Sequence, residues 1–431
     1  MTPKNANQNK SPYDQYLNQY AEVESSTISN IPQDISGKIT TKYALIIPAF
    51  KESCAFLTRL KEHPIHDCFF IVVINSPDNQ NSHDEDNKNL YDFSQHSGKR
   101  IWSSENINLI RWTNNNYLIL VDRFSNHQKI PRKQGVGLAR KIACDIAISL
   151  IKNKILTTHF IHSSDADATL PIDYFSQTNN IKKLNNVSAA IYQFSHSKEE
   201  NAVGEASNIY EKTMRYYVDG LRYANSHFAF HTIGSCLAIS AKHYCQARGF
   251  PKKSGGEDFY LLNKLAKLGE IKTLEGDPIQ INSRESDRVP FGTGPAVSKI
   301  IISQKKFEYP AYNPKIFVEL KELLHQFKTL TDCISEEKNH IDATNQYQIK
   351  RCKKWLSSLN SITTKALYSM KIDSLFNHLI NNCKNQQQIQ EHLIYWFDGF
   401  KTLKYIHFLQ QHQYPTMPLH LALKESKALG F

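Results

Sequence analysis

The sequence is short of several things, and each shortage removes a class of protein. Its eight cysteines, at 54, 68, 144, 236, 245, 333, 352 and 383, include no C-x-x-C pair. Nothing in it therefore has the ligand spacing of a zinc cluster. Cys144 and Cys236 sit inside apolar runs, as small core residues of a reducing compartment do. No stretch approaches the ~18 apolar residues needed to cross a bilayer. The polar segment from Met1 to Asn30 lacks the apolar core of a secretory signal. The expectation is a cytoplasmic protein, with contact to the inner face of a membrane at most peripheral. No repeat of fixed period is evident.

What is present is enough for a large domain and a second module. The chain has 431 residues, 40% hydrophobic and 22% charged, which argues against wholesale disorder. Its formal charge of +11 suits nucleotide-sugars, phosphorylated acceptors, nucleic acid or anionic lipid, and does not choose among them. Residues 1–40 read as a flexible arm, with a short helix over Tyr13 to Val23. Residues 41–305 alternate strands and helices. Tyr43 to Pro48, Cys68 to Asn75 and Tyr117 to Asp122 are continuous apolar runs of the kind buried on both faces of a parallel sheet. A helix follows Gly135 and Gly137, with Leu138, Ile142, Ile146 and Leu150 at helical spacing. Further strands are expected at Thr158 to Ile161, Val187 to Phe194 and Ile233 to Ser240, and a tyrosine-rich helix over Glu205 to Tyr223. The fold class is α/β, with a mainly parallel sheet. From residue 306 to 431 glycine nearly vanishes, and helical patterns over Ile316 to Ile334, Tyr347 to Leu359 and Ile389 to Gln410 predict an all-helical extension.

The stretch that organises the chain is Thr158 to Ala168, where a strand runs into Asp165-Ala166-Asp167. Residues two apart on an extended or turn backbone point the same way. Two carboxylates presented to one point need a cation, a proton or strong donors. Mg²⁺ or Mn²⁺ takes oxygen ligands and grips phosphates as well. The bland alternative is a solvated acidic turn. In parallel α/β sheets, ligands bind beyond the carboxyl ends of the strands, which is where these aspartates fall.

Three further features accompany it. Lys133 and Arg140 flank the glycine turn. Ser254-Gly255-Gly256-Glu257-Asp258 opens a helix, where acidic residues also serve simply to favour the helix dipole. Asn282 to Pro295 carries Arg284 and Arg288 into a loop with Gly292 and Gly294. Arginine forks match phosphate oxygens, and the glycines would let the loop move over a substrate.

With these residues in this order, the sequence resembles, over roughly 42–300, the family-2-like glycosyltransferases of the GT-A (Rossmann-like) fold. The resemblance implies a nucleotide site at the first strand's end, Pro48 to Glu52, with Lys51 where the family usually has Asn. It implies that Asp165 and Asp167 hold a divalent metal, Mn²⁺ or Mg²⁺, on the diphosphate of a nucleotide-sugar donor. Glu257 and Asp258 then lie near a hydroxyl-bearing acceptor, phosphorylated or lipid-linked acceptors included. Asp258 becomes the candidate base of an inverting hexosyltransferase, inversion being favoured over retention. The implied nucleotide and substrate set is Pro48, Phe50, Glu52, Asn75, Gln134, Arg140, Asp165, Arg284 and Arg288. The second strand ends in Asn75-Ser76-Pro77-Asp78 rather than directly in an acidic residue, which leaves the base open. The Q-x-x-R-W motif and membrane helices of processive members are absent.

Two other classes compete. A sugar nucleotidyltransferase uses a similar scaffold, but its first strand is followed by a glycine-rich loop, and Pro48 to Ser53 has no glycine. A non-catalytic basic adaptor would bind nucleic acid or anionic membrane through the tail. The tail has no dense Lys/Arg run and no nucleic-acid motif, so no nucleic-acid partner is expected.

Overall fold

The structure, a computed structural model, describes residues 11–79, 85–181, 186–197, 200–283, 292–303, 308–337 and 345–431. Arg284 and Arg288 lie outside the described residues. The chain divides into two compact units, Met1–Ser207 with Thr232–Ser298, and Asn208–His231 with Lys299–Phe431.

In the first unit, α1 (Pro12–Gln19), α2 (Glu24–Ile28) and α3 (Gln33–Ser36) precede β1 (Tyr43–Ala49), α4 (Ala55–Glu62) and β2 (Cys68–Asn75). Next come α5 (Glu85–Gln95), β3 (Lys99–Ser104), β4 (Ile107–Arg111), β5 (Tyr117–Arg123) and α6 (Gly135–Lys152). Then follow β6 (Phe160–Ser163), β7 (Ala168–Thr169), β8 (Val187–Ile191), β9 (Phe194–His196) and α7 (Ala202–Tyr223). The unit closes with β10 (Leu237–Ser240), α8 (Ala241–Gln246), α9 (Glu257–Leu265), β11 (Glu270–Thr273), β12 (Ile279–Ile281) and the start of α10 (Thr293–Ser303).

A nine-stranded sheet in the order β11-β8-β10-β6-β1-β2-β5-β4-β3 forms the centre. Only β4 and β10 run against the rest, so the sheet is mostly parallel. β1 and β2 pair in parallel along their whole lengths, Tyr43 opposite Cys68 to Ala49 opposite Ile74. Their apolar runs are buried on both faces, as strands covered by helices must be; α6 packs on both. The hairpin β3–β4 has no continuous apolar run to announce it. β3 is an edge strand that starts on exposed Lys99 and Arg100, a common way of blunting an edge. A smaller sheet, β7-β12-β9, takes the chain leaving the D-A-D turn and pairs it with Ile279–Ile281.

The expected arm over residues 1–40 is, from Ser11 onward, a set of packed helices. α1 and α2 lie on α6. Tyr16 is buried and its hydroxyl donates to Asp145, which also accepts from Tyr244 (2.9 Å), Lys141 (2.7 Å) and the backbone N–H of Glu22 (2.8 Å). Asp145 has no exposure at all. Burial raises its pKa, and Lys141 opposes that rise. A buried charge is tolerable when paired and fully hydrogen-bonded, and the N-terminal segment supplies two of the four donors.

The second unit is helical. α7 enters it at Asn208. After β13 (Pro310–Ala311) come α11 (Lys315–Glu337), α12 (Asn345–Ser358), α13 (Ser361–Ser369), α14 (Ile372–Asn382), α15 (Gln386–Trp396) and α16 (Gly399–His412), then β14 (Met417–Pro418) and α17 (Leu419–Leu429). Tyr216 and Leu221 of α7 share one core with Phe317, Trp355, Phe376 and Tyr405. The Tyr216 hydroxyl donates to the Tyr312 carbonyl at 2.7 Å. The helical body thus begins at residue 299 rather than 306, and also takes 208–231 from the middle of the expected catalytic domain. The single helical pattern over Ile389 to Gln410 is two helices, because Asp398 caps α16 through the N–H groups of Phe400 and Lys401, the usual role of an aspartate before a helix.

Candidate active site

The site is built around one buried guanidinium. Arg140 lies one turn into α6, and only 3% of it is exposed. The start of α6 is pressed against the Pro251–Ser254 segment. The Gly137 N–H donates to the Lys253 carbonyl at 2.9 Å, and a Cβ on Gly137 would sit 2.4 Å from the Pro251 carbonyl oxygen. Only glycine permits that approach. The contact brings the segment leading into α9 alongside Arg140.

From there the guanidinium ties three elements together. Its Nη2 donates to Asp165 Oδ1 at 2.6 Å, its Nε to Glu257 Oε1 at 3.0 Å, and its Nη1 to Ser163 Oγ at 2.8 Å. Ser163 Oγ in turn donates to the Gly234 carbonyl at 2.8 Å. A Cβ on Gly234 would stand 2.5 Å from Nη2, so a side chain there collides with the hub. The end of β6, the start of α9 and the turn before β10 are thereby fixed by charge-assisted hydrogen bonds, stronger than neutral ones.

The electrostatics follow from the count of charges. Burial alone would weaken the hold of Arg140 on its proton; Asp165, Glu257 and Asp258 outweigh it and raise its pKa. Glu257 is buried, and burial holds its pKa above the ordinary glutamate range against the pull of Arg140. Asp258 is half-buried, its Oδ1 accepting from the Phe259 N–H at 2.7 Å. Burial first, then the neighbouring Glu257, push Asp258 up to about 7. Three carboxylates around one cation leave negative charge in excess. A proton on Asp258 relieves it, and so would a further cation.

Asp165 and Asp167 are both half-buried. The Asp167 carbonyl accepts from the Asn282 N–H at 3.3 Å, so pairing of β7 with β12 fixes the far side of the turn. Arg59 of α4 donates to the Ala166 carbonyl at 3.0 Å, gripping the turn between its two aspartates. Among the described residues, no three His, Cys, Asp or Glu side chains gather to hold a metal ion on their own.

The remaining expected residues fall at the ends of β1, β2 and α6. Pro48 is buried at the end of β1, and Phe50 and Glu52 are half-buried beyond it. Lys51 has a left-handed backbone, φ 54°. Its N–H donates to Asn87 Oδ1 at 2.8 Å, while Asn87 Nδ2 donates to the Asn75 carbonyl at 3.0 Å. Asn87 thus ties the β1 turn to buried Asn75 at the end of β2. Gln134 is half-buried just before α6, and its side chain does not cap the helix. Lys133 is exposed. Sequence reasoning missed Ser163, Gly234, Arg59 and Asn87. Gly234, directly before an apolar strand, carried a local signal of close approach; the other three are linked to the site only through the fold.

Fold and site together define an α/β protein with an acidic cluster, centred on an arginine, beyond the carboxyl end of β6. No protein-family model matches the chain, and no curated protein matches it. Among solved structures it is similar to S. aureus TarS residues 1–349 in complex with UDP-GlcNAc. The TM-score there is 0.40 at 11% identity, covering 87% of this chain and 93% of that one. A second structure of the same TarS segment gives 0.38 at 11%, and its complex with UDP 0.37 at 10%, with the same coverage. At these scores the likeness says nothing of activity. No helix among the described residues is long and apolar enough to cross a membrane.

Proposed function

We propose that this chain is a glycosyltransferase that moves a sugar from a nucleotide-sugar to a hydroxyl-bearing acceptor. The observation that carries the reading is the Arg140 hub. It fixes Asp165 beside Glu257, while burial and then Glu257 push the neighbouring Asp258 up to about 7 against the pull of Arg140. That is the value a general base needs near neutral pH.

In the proposed reaction the bond between the sugar's anomeric carbon and the diphosphate oxygen breaks. The acceptor oxygen bonds to that carbon, and the acceptor's proton passes to an oxygen of Asp258. Attack from the face opposite the leaving group inverts the configuration, the outcome a carboxylate base serves. Glu257, held by Arg140, keeps Asp258 from ionising too early. Asp165 and Asp167 would hold Mg²⁺ or Mn²⁺, which when bound neutralises charge growing on the leaving diphosphate. Phe50, Glu52 and Asn75 form the proposed nucleotide side, with Asn87 bridging Lys51, between the first two, to Asn75.

The test is nucleoside diphosphate release from a panel of UDP- and GDP-sugars with Mn²⁺ present. Acceptor-stimulated or hydrolytic release that falls at least ~100-fold in Asp258→Asn supports the proposal. Pyrophosphate release from nucleoside triphosphates instead would overturn it in favour of nucleotidyl transfer.

A further inference from the structure

In the helical unit, α14 and α15 are joined by only Cys383, Lys384 and Asn385. Asn385 caps α15, its side chain accepting from the Gln388 N–H at 2.9 Å, and the Lys384 N–H donates to Gln388 Oε1 at 2.7 Å. Leu379 of α14 and Leu393 of α15 are buried in the same core. Each leucine has a histidine just before it in the chain, His378 and His392. His378 is exposed and His392 half-buried. His378 Nε2 lies 2.9 Å from His392 Nδ1, with the ring centroids 4.7 Å apart. Asn382, one turn further along α14, places its Nδ2 3.2 Å from His378 Nδ1 and also donates to the His378 carbonyl at 3.1 Å. An amide nitrogen only donates. His378 therefore carries its proton on Nε2 and gives it to His392 Nδ1.

The spacing of the two nitrogens is that of a chelate. Two nitrogens each about 2.0–2.1 Å from one ion, at coordination angles of roughly 90–109°, stand ~2.9–3.4 Å apart. The observed 2.9 Å falls in that range. Replacing the shared proton by an ion needs a change of tautomer and no change of backbone. The His378 proton moves from Nε2 to Nδ1, and the Asn382 amide turns so that its oxygen accepts it. The ring then has the outer hydrogen bond that a metal-bound histidine ordinarily makes. The two imidazoles also come from separately anchored helices, so little freedom remains to be lost when an ion joins them. Imidazole suits Zn²⁺, Ni²⁺ and Cu²⁺, whereas Mg²⁺ takes oxygen. Among the described residues no third His, Cys, Asp or Glu joins the pair, so water fills the other positions.

We propose that His378 and His392 chelate a transition-metal ion of the Zn²⁺, Ni²⁺ and Cu²⁺ group, through Nε2 of the first and Nδ1 of the second. Cu²⁺ binds tightest, as the usual order of divalent ions requires. The site uses no residue of the Arg140 hub or the D-A-D turn, and it stands whether or not the chain transfers sugars.

The test is calorimetry of the full chain, free of any affinity tag, with Cu²⁺, Ni²⁺ and Zn²⁺ chlorides and with Mg²⁺ as the hard-ion control. The expected result is a Cu²⁺ site with a dissociation constant on the order of 10 μM, weaker sites for Ni²⁺ and Zn²⁺, and no effect of Mg²⁺ on any of them. His378→Gln and His392→Gln should each weaken binding at least ~10-fold. The two together should add little to either alone, since a chelate is lost with its first ligand. Both side chains reach solvent, so each variant should keep the wild-type unfolding temperature without metal and lose the rise that Ni²⁺ gives the wild type. Either variant decides the matter should the other fold poorly. Couplings from two imidazole nitrogens in the EPR spectrum of the Cu²⁺-loaded chain, falling to one in each variant, identify the ligands. No binding tighter than ~1 mM, or binding unchanged in both variants, would leave an adventitious ion only and overturn the proposal. Binding lost in Asp167→Ala instead would assign the ion to the D-A-D turn and overturn it equally.

Discussion

Replacing the single hydrogen of Gly234 with a methyl group should disturb the site through Arg140. The added carbon would stand 2.5 Å from Nη2 and 2.9 Å from the guanidinium carbon. An exposed arginine would swing away at little cost. This one is buried and donates to Ser163, Asp165 and Glu257. Relief requires moving Nη2 by ~1 Å, since ordinary contacts begin near 3.5 Å, and that stretches its 2.6 Å bond to Asp165. Overpacking costs ~1–3 kcal/mol, and a hydrogen bond to a charged group is worth ~1.5–3 kcal/mol. The overlap of the two places the loss for Gly234→Ala at ~1.5–3 kcal/mol, read by urea unfolding. The decisive form is a double-mutant cycle with Arg140→Ala, because the proposed clash exists only while the guanidinium does. In the Arg140→Ala background, Gly234→Ala should cost under ~0.5 kcal/mol. An equal cost in both backgrounds would refute the claim that Gly234 is there to admit Arg140.

Asp258 sets two pH dependences of opposite use. Activity should rise with pH to a plateau above about 7, since only the ionised base accepts a proton, and Asp258→Asn should remove that limb as well as the rate. Stability should run the other way. With the folded pKa raised, the native state holds a proton the unfolded chain has lost, so stability falls as pH rises from the ordinary aspartate range to about 7; Asp258→Asn should flatten the unfolding temperature over that window. Tyr16→Phe removes one donor from wholly buried Asp145 and should cost ~1.5–3 kcal/mol in denaturant titration, with no effect if the N-terminal helices are not docked in solution. Chelation by EDTA and Asp167→Ala should each weaken nucleoside diphosphate binding at least ~10-fold by calorimetry; undiminished affinity in both would remove the metal from the proposal.

The legible part of the fold was the part that a single period describes. β1, β2 and β5 are uninterrupted apolar runs, and α6 repeats Leu138, Ile142, Ile146 and Leu150 on one face, so their type followed from pattern alone. The D-A-D turn was placed by the strand before it. What stayed hidden depends on partners far away in the chain. Tyr16 looks like any tyrosine in a polar stretch until Asp145 is beside it. Arg140 was read as a group approaching a nucleotide, whereas it is a buried hub whose partners are 25 and 117 positions away. The aromatic residues of α7 marked a packed helix but not which body it packs in, because amphipathic period says that a face is covered and not by what.

That last point bears on how the protein can be dissected. The backbone leaves the sheet unit at Asn208, contributes Tyr216 and Leu221 to the helical core, returns at Thr232, and leaves again at Lys299. Stopping translation near residue 306 would therefore not liberate a tidy sheet unit. It would strip the counterpart from an aromatic helix stitched into the middle of the remaining polypeptide, and the fragment would be expected to clump. Dissection that keeps solubility has to excise 208–231 together with the tail, or leave both in place.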